Sequence, residues 1–229
     1  MTSALERVAV TGGASGLGAA VVEAVRKHGG TAVALDVREP AAEVPWVEVD
    51  LSDPLAASEA VHAAEERIGP LTGVVTAAGI DACGQLTDVP LADWARVIQV
   101  NLIGTAAVVR AALPSLESCR GRIVTVASTL GLRALSDATA YCASKFGVVG
   151  FSRALAVETA GRVGVTMLVP GGMRTAFFDG RPEKYRPAAD ADLADPLQVA
   201  EAVVHALQQP PGLEIRELVV CPSTEPSWP

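Results

Sequence analysis

Tyr141-Cys142-Ala143-Ser144-Lys145 sets a phenol and an ammonium group four residues apart, with Ser128 ahead of them. On a helix, residues i and i+4 stack on one face, so Tyr141 and Lys145 would meet. A free tyrosine has a pKa of about 10, which leaves phenolate scarce at neutral pH, and a nearby cation favours the charged form. A shift of two or three units, each worth about 1.4 kcal/mol, would bring the phenol near working pH, where acid–base catalysis is most efficient. A Tyr/Lys pair at this spacing is also an ordinary pair on a helix surface. The rest of the chain decides between the two.

The elements that would position these groups begin with the apolar run Arg7–Thr11, which breaks at Gly12-Gly13-Ala14-Ser15-Gly16-Leu17-Gly18. A helical pattern follows from about Leu17 to His28 and stops at Gly29-Gly30. A second strand, Thr31 to Leu35, ends in Asp36. Strand, glycine turn, helix, strand and acid form the outline of a dinucleotide-binding unit. Glycines there permit a tight turn and let backbone N–H groups approach a pyrophosphate at the helix N-terminus. The spacing is G-x-x-x-G-x-G (Gly12, Gly16, Gly18), and a plain strand-to-helix turn is the competing reading. Asp36 tips it toward a cofactor. A carboxylate at that point can bind both ribose hydroxyls of NAD and would repel a 2′-phosphate. The glycine loop holds no Lys or Arg, and Arg38 is the one dissenting charge, read as a solvated loop residue. NAD is expected over NADP.

Alternation continues along the chain. Strands are expected at Trp46–Val49, Leu71–Ala77, Arg122–Ala127, Gly164–Val169 and Glu214–Cys221, and helices at Pro54–Ile68, Leu91–Leu116, Tyr141–Thr159 and Pro196–Gln208. This implies an α/β fold, a single-domain doubly wound parallel sheet of about seven strands with helices on both faces, spanning 1–229. Residues 174–195 read as a loop rich in Pro, Asp and Arg, and 222–229 as a Pro-rich tail on the surface or on a neighbouring subunit. Composition narrows the function classes. Half of the residues are apolar, and the net charge of −8 argues against a nucleic-acid partner. No uninterrupted apolar run reaches the roughly 18 residues of a membrane helix, and Met1 to Arg7 shows no secretory signal. Four scattered cysteines (Cys83, Cys119, Cys142, Cys221) suit idle thiols in a cytoplasmic setting, without metal. His28, His62 and His205 fall in helical surroundings and are expected at the surface.

Together, Thr11-Gly12-x-x-x-Gly16-x-Gly18, Asp36, Asp50, Ala77-Ala78-Gly79, Asn101, Ser128, Tyr141-x-x-x-Lys145 and Pro170-Gly171 resemble the short-chain dehydrogenase/reductase family over nearly the whole chain. The resemblance implies a Rossmann fold and assigns roles. Tyr141 would be the acid–base, Lys145 would bind the nicotinamide ribose and lower the Tyr141 pKa, and Ser128 would hydrogen-bond the substrate oxygen. Asn101 would support a water-linked proton path to Lys145. Gly12, Ser15, Gly16, Leu17 and Gly18 would line the pyrophosphate, Asp36 the adenosine ribose, and Asp50 with Leu51 the adenine. Ala78, Gly79, Pro170 and Gly171 would border the cofactor, and Thr175 would meet its carboxamide. Structural alternatives stand beside these: a strand-end cap for Ser128, a helix kink for Asn101, a loop start for Thr175.

Three departures bear on the resemblance. Thr76-Ala77-Ala78-Gly79 replaces the family's Asn-Asn-Ala-Gly, Met173 stands where a β-branched residue is common, and the C-terminus is not glycine-rich. The expected activity is NAD-dependent transfer of hydride between the nicotinamide and a secondary alcohol or ketone. The rivals are a catalytically quiet nucleotide-binding sensor or scaffold and an NADPH-dependent reductase of acyl thioesters. Two helices apolar almost all round, Leu102–Leu113 and Phe146–Val157, suggest burial on two sides and hence a homodimer or homotetramer, with tight packing within the monomer as the competing explanation. Phe177, Phe178 and Tyr185 are lid candidates. Arg174, Arg181, Lys184 and Arg186 would either greet an anionic substrate or lie solvated in a mobile loop.

Overall fold

The computed structural model describes residues 3–228; Met1 and Thr2, at the start of the expected signal-free terminus, and Pro229, at the end of the expected tail, lie outside the described residues. Seven strands are present: β1 (Arg7–Thr11), β2 (Thr31–Asp36), β3 (Trp46–Glu48), β4 (Gly73–Thr76), β5 (Arg122–Val126), β6 (Gly164–Pro170) and β7 (Glu217–Val220). All pair in parallel, in the order β3-β2-β1-β4-β5-β6-β7. The order reverses between β1 and β4, and the crevice at the carboxyl ends of strands beside such a switch point is where α/β sheets bind ligands.

Period-two alternation sorts the strand residues between two faces. Ala9, Val33, Leu35, Val74, Ile123 and Val165 pack beneath α2 (Pro54–Ile68), α4 (Thr105–Cys119) and the end of α5 (Thr139–Glu158). Val8, Val10, Ala34, Val75, Val124 and Leu168 pack beneath α1 (Gly16–Lys27) and α6 (Pro196–Leu207). Both faces are covered, so the strands read as apolar runs and not as half-polar ladders. Two helices start on Asp-Pro. Asp53 accepts from the N–H groups of Leu55 (2.9 Å) and Ala56 (3.2 Å), and Asp195 from that of Leu197 (2.9 Å), each with proline in the first turn, where no N–H is missed.

The structure revises several expected elements. The long helix expected at Leu91–Leu116 is α3 (Leu91–Ile98), a π-helical stretch Gln99–Gly104, and α4 running on to Cys119. Its 29 residues are long and apolar enough, by length and composition, to cross a membrane. Here Val108, Ala112 and Leu116 are buried in the core under the sheet. The strands expected at Leu71–Ala77 and Glu214–Cys221 pair only over Gly73–Thr76 and Glu217–Val220. Segment 174–195 is not shapeless, because it carries 3-10 turns at Ala176–Phe178 and Glu183–Tyr185. In the tail, Trp228 packs against the cluster of Ala127, Val148, Val149, Met167 and Val169. His28, His62 and His205 are exposed, as expected.

Candidate active site

Tyr141 and Lys145 occupy the first two turns of α5, and Ser128 follows β5 after Ala127. Ser128 is buried, and its hydroxyl accepts from the Leu130 N–H at 3.1 Å, so the structural cap and the inward-facing hydroxyl are one residue. The Ser128 hydroxyl also draws the pKa of the Tyr141 phenol down, but burial outweighs it and pushes the pKa up to about 12. Lys145 is buried beneath the ring, with Nζ 5.6 Å from the ring centroid and donating to the Val126 carbonyl at 2.8 Å. Burial disfavours its ammonium and lowers its pKa to about 8. In this arrangement desolvation governs both groups. The ammonium of Lys145 is turned toward a backbone carbonyl, and burial is the largest influence on the Tyr141 phenol.

Asn101 lies in the π-helical stretch and is buried. Its Oδ1 accepts from the Ile80 N–H at 2.8 Å, while its Nδ2 donates to the Ile80 carbonyl (2.9 Å) and to Ser144 Oγ (3.0 Å). It therefore pins the segment after β4 to α5. A Cβ placed on Gly79 would stand 3.6 Å from both Asn101 Oδ1 and Lys145 Nζ, so glycine keeps this space open. At Thr76 the departure from Asn leaves a buried hydroxyl with no hydrogen-bond partner. Thr11 Oγ1 takes over part of the bracing by accepting from the Ala78 N–H at 3.0 Å.

The glycine loop is built for close approach. Gly12 and Gly16 have φ of 68° and 53°, and a Cβ on Gly18 would lie 2.1 Å from the Gly12 carbonyl oxygen. Asp36 is buried and accepts from the N–H groups of Ala14 (3.0 Å) and Arg38 (3.1 Å), which ties the end of β2 to this loop. Arg38 is exposed but not idle: its guanidinium donates to Ser15 Oγ at 3.1 Å. Asp50 accepts from the Ser52 N–H and pairs with Arg96 at 2.9 Å, contacts that hold its carboxyl below the usual range. Leu51 is buried against Gly104. A glycine-rich cradle at a helix N-terminus, a carboxylate at its edge and a lysine under Gly79 fit a nicotinamide dinucleotide. Gly12 to Gly18 would hold its pyrophosphate, Asp36 its ribose, and Lys145 its second ribose. Among the described residues no three His, Cys, Asp or Glu side chains gather as a metal centre would.

Thr175 caps the turn at Ala176–Phe178 by accepting from the Phe177 N–H, and it sits 3.5 Å from where a Gly16 Cβ would be. Thr175 thus lies beside the glycine loop. Phe177 lies on Tyr141, with ring centroids 5.6 Å apart, and Phe178 meets Phe177 edge-on at 5.5 Å. Arg181 stacks 4.7 Å from both phenylalanine rings and pairs with Asp81 at 2.9 Å. Sequence reasoning singled out Arg181 but not its partner Asp81, which carried no signal beyond following Gly79-Ile80. It also missed Glu225, whose carboxylate accepts from the Gly172 N–H at 2.8 Å and covers Gly171. Ser227 extends this strap by donating to Glu225 Oε1 at 2.6 Å, with its oxygen 2.7 Å from the Thr129 hydroxyl. A hollow of about 330 Å³ opens nearby between Ile80–Cys83 and Asp88–Val97, and none of Ser128, Tyr141 and Lys145 lines it.

Comparison with known proteins agrees with this fold. Residues 6–186 match the short chain dehydrogenase family. The 3-alpha-(or 20-beta)-hydroxysteroid dehydrogenase of Mycobacterium tuberculosis is 33% identical over 207 residues, covering 86% of this chain and 80% of that protein. The 2-(S)-hydroxypropyl-CoM dehydrogenase 3 of Xanthobacter autotrophicus is 32% identical over 227 residues, covering 88% and 89%. Glycine betaine reductase ATRR of Emericella nidulans is 30% identical over 95% of this chain, which spans only 19% of that longer protein. The alcohol dehydrogenase of Thermococcus sibiricus, solved with 5-hydroxy-NADP, shares the fold: TM-score 0.83 at 23% identity, over 94% of this chain and 95% of that one.

Proposed function

We propose, for a chain that belongs to the short-chain dehydrogenase/reductase family and so is an oxidoreductase acting on CH–OH groups, that it uses NAD(H) to interconvert a secondary alcohol and a ketone. The observation that carries this reading is the meeting of Ser128, Tyr141 and Lys145 under Gly79, at the carboxyl ends of the central strands. The cofactor would supply the hydride acceptor or donor, and the chain supplies everything around it. Ser128 would hold the substrate oxygen, and Tyr141 would exchange a proton with that oxygen. Lys145, its pKa lowered to about 8, stands ready to relay the proton onward. In the direction of ketone reduction, Tyr141 starts protonated, which burial favours.

The preference for NAD rests on the Asp36 carboxylate facing the glycine loop, which a 2′-phosphate would have to approach. Arg38 on Ser15 is the counter-indication, since a guanidinium there suits a phosphate. Four unpaired thiols support a reducing cytoplasm as the setting. Phe146, Gly150 and Val157 lie exposed along one side of α5, which supports a homo-oligomer through that face.

Intrinsic tryptophan fluorescence, titrated with NADH and NADPH, tests the first half of the proposal, and a panel of secondary alcohols and ketones tests the second. NADH is expected to bind more tightly, and Tyr141→Phe to keep that binding while losing turnover. A Tyr141→Phe variant with undiminished kcat would end the dehydrogenase reading. Tighter binding of NADPH would overturn the choice of cofactor alone.

A further inference from the structure

Segment 174–195 carries four cations, and only one has its side chain inside. Arg174, Lys184 and Arg186 are exposed, and each is already engaged: Arg174 donates to the Leu193 carbonyl at 3.3 Å, Arg186 to the Arg181 carbonyl at 2.7 Å, and Lys184 sits 4.5 Å from the Tyr185 ring centroid. Arg181 is the exception. Its side chain is 16% exposed and that of its partner Asp81 is 7% exposed, with 2.9 Å between them. The guanidinium also stacks at 4.7 Å on Phe177 and Phe178, and Phe177 in turn covers Tyr141. Both charges lie close enough for the Tyr141 phenol to feel them, with opposite signs.

We propose that Asp81 and Arg181 are specificity-determining residues: as a mutually neutralised pair they hold Phe177 over Tyr141, so that the site takes neutral substrates with an apolar flank and rejects carboxylates. This deepens the dehydrogenase reading and rests on it. An anionic substrate has two ways in, and both are unfavourable. It can leave the pair intact and meet the charge of Asp81. Otherwise it can draw Arg181 away, which strands a buried carboxylate with only the Ala82 N–H (2.7 Å) and the Cys83 thiol (3.1 Å) as partners. A neutral ketone disturbs neither charge, and its apolar side can lie on the Phe177 ring. Of the two readings of this basic cluster, the partner of its one buried member thus argues against the one in which it greets an acid.

The test titrates the NADH complex with acetophenone and with benzoylformate, which carries a carboxylate in place of the methyl group. The wild type is expected to bind acetophenone at least about tenfold more tightly, and Asp81→Asn, which unpairs Arg181, to shift that ratio toward benzoylformate by about tenfold. Adding Arg181→Met to Asp81→Asn removes the new cation and is expected to abolish the shift, so the double-mutant cycle isolates the pair. Benzoylformate binding to the wild type as tightly as acetophenone overturns the proposal. So does an unmoved ratio in an Asp81→Asn protein that melts cooperatively and still binds NADH. Binding of neither ketone in the presence of bound NADH overturns the substrate class and leaves the dehydrogenase reading standing. Failure to bind either NADH or NADPH removes that reading, and this inference with it.

Discussion

Tyr141 and Lys145 are neighbours whose pKa values burial drives in opposite directions, one up to about 12 and the other down to about 8. The unfolded chain keeps the Lys145 proton up to its ordinary 10.5, while the folded chain releases it near 8. Between those values the unfolded state binds more protons, so the Lys145 contribution to stability climbs with pH across that window, and below it the whole penalty is present. That penalty is roughly 3 kcal/mol at neutral pH. Lys145→Met is therefore expected to remove turnover and yet raise stability at pH 7 by about 1–2 kcal/mol, after a loss of about 1–2 for the unpartnered Val126 carbonyl. Denaturant melts at pH 7 and pH 11 check this, and the gain should vanish at the higher pH. Tyr141 works the other way, since its raised pKa takes stability away as pH rises from 10 toward 12. The proximity of these two residues was legible because an i, i+4 spacing is a local fact. Their electrostatics were not, because desolvation depends on what the rest of the fold lays over them.

Elements were legible where periodicity or caps mark them. Pro54–Ile68 was expected and observed with the same bounds, because Asp53-Pro54 starts the helix and Gly69 stops it. The π-helical stretch was not foreseen, since a wider turn leaves the apolar pattern on either side of Asn101 intact. Its consequence is chemical: the Asn101 side chain reaches Ile80 and Ser144, which joins the segment after β4 to α5. At Thr76 the flagged departure has a cost that can be measured, a hydroxyl sealed in β4 without a partner. Thr76→Val keeps the shape, removes the orphan group and is expected to stabilise the protein by about 1 kcal/mol or more. A thermal melt reads it directly, and a destabilised variant would mean the hydroxyl does find a partner.

At the scale of the whole molecule, one sheet receives strands from both ends of the chain, and the site sits where its order reverses. The Asp81–Arg181 pair and the Glu225 strap were beyond sequence reasoning, because each joins segments that only the finished fold brings together. The open face of α5 was legible in its apolar pattern. A Cβ on Gly150 would meet nothing within 4 Å, so Gly150→Glu fits the isolated subunit and places a charge midway between Phe146 and Val157. Sedimentation is expected to show the wild type as a dimer or tetramer and Gly150→Glu as a monomer of unchanged melting behaviour. A wild type that sediments as a monomer at micromolar concentration would refute the oligomer. The strap has a consequence in time. Chains fold from the N-terminus as they are made, so the strands carrying Ser128 and the Gly172 turn can pair before Glu225 and Ser227 have left the ribosome. A nascent chain then has its reacting groups assembled while the turn beside them is still untied.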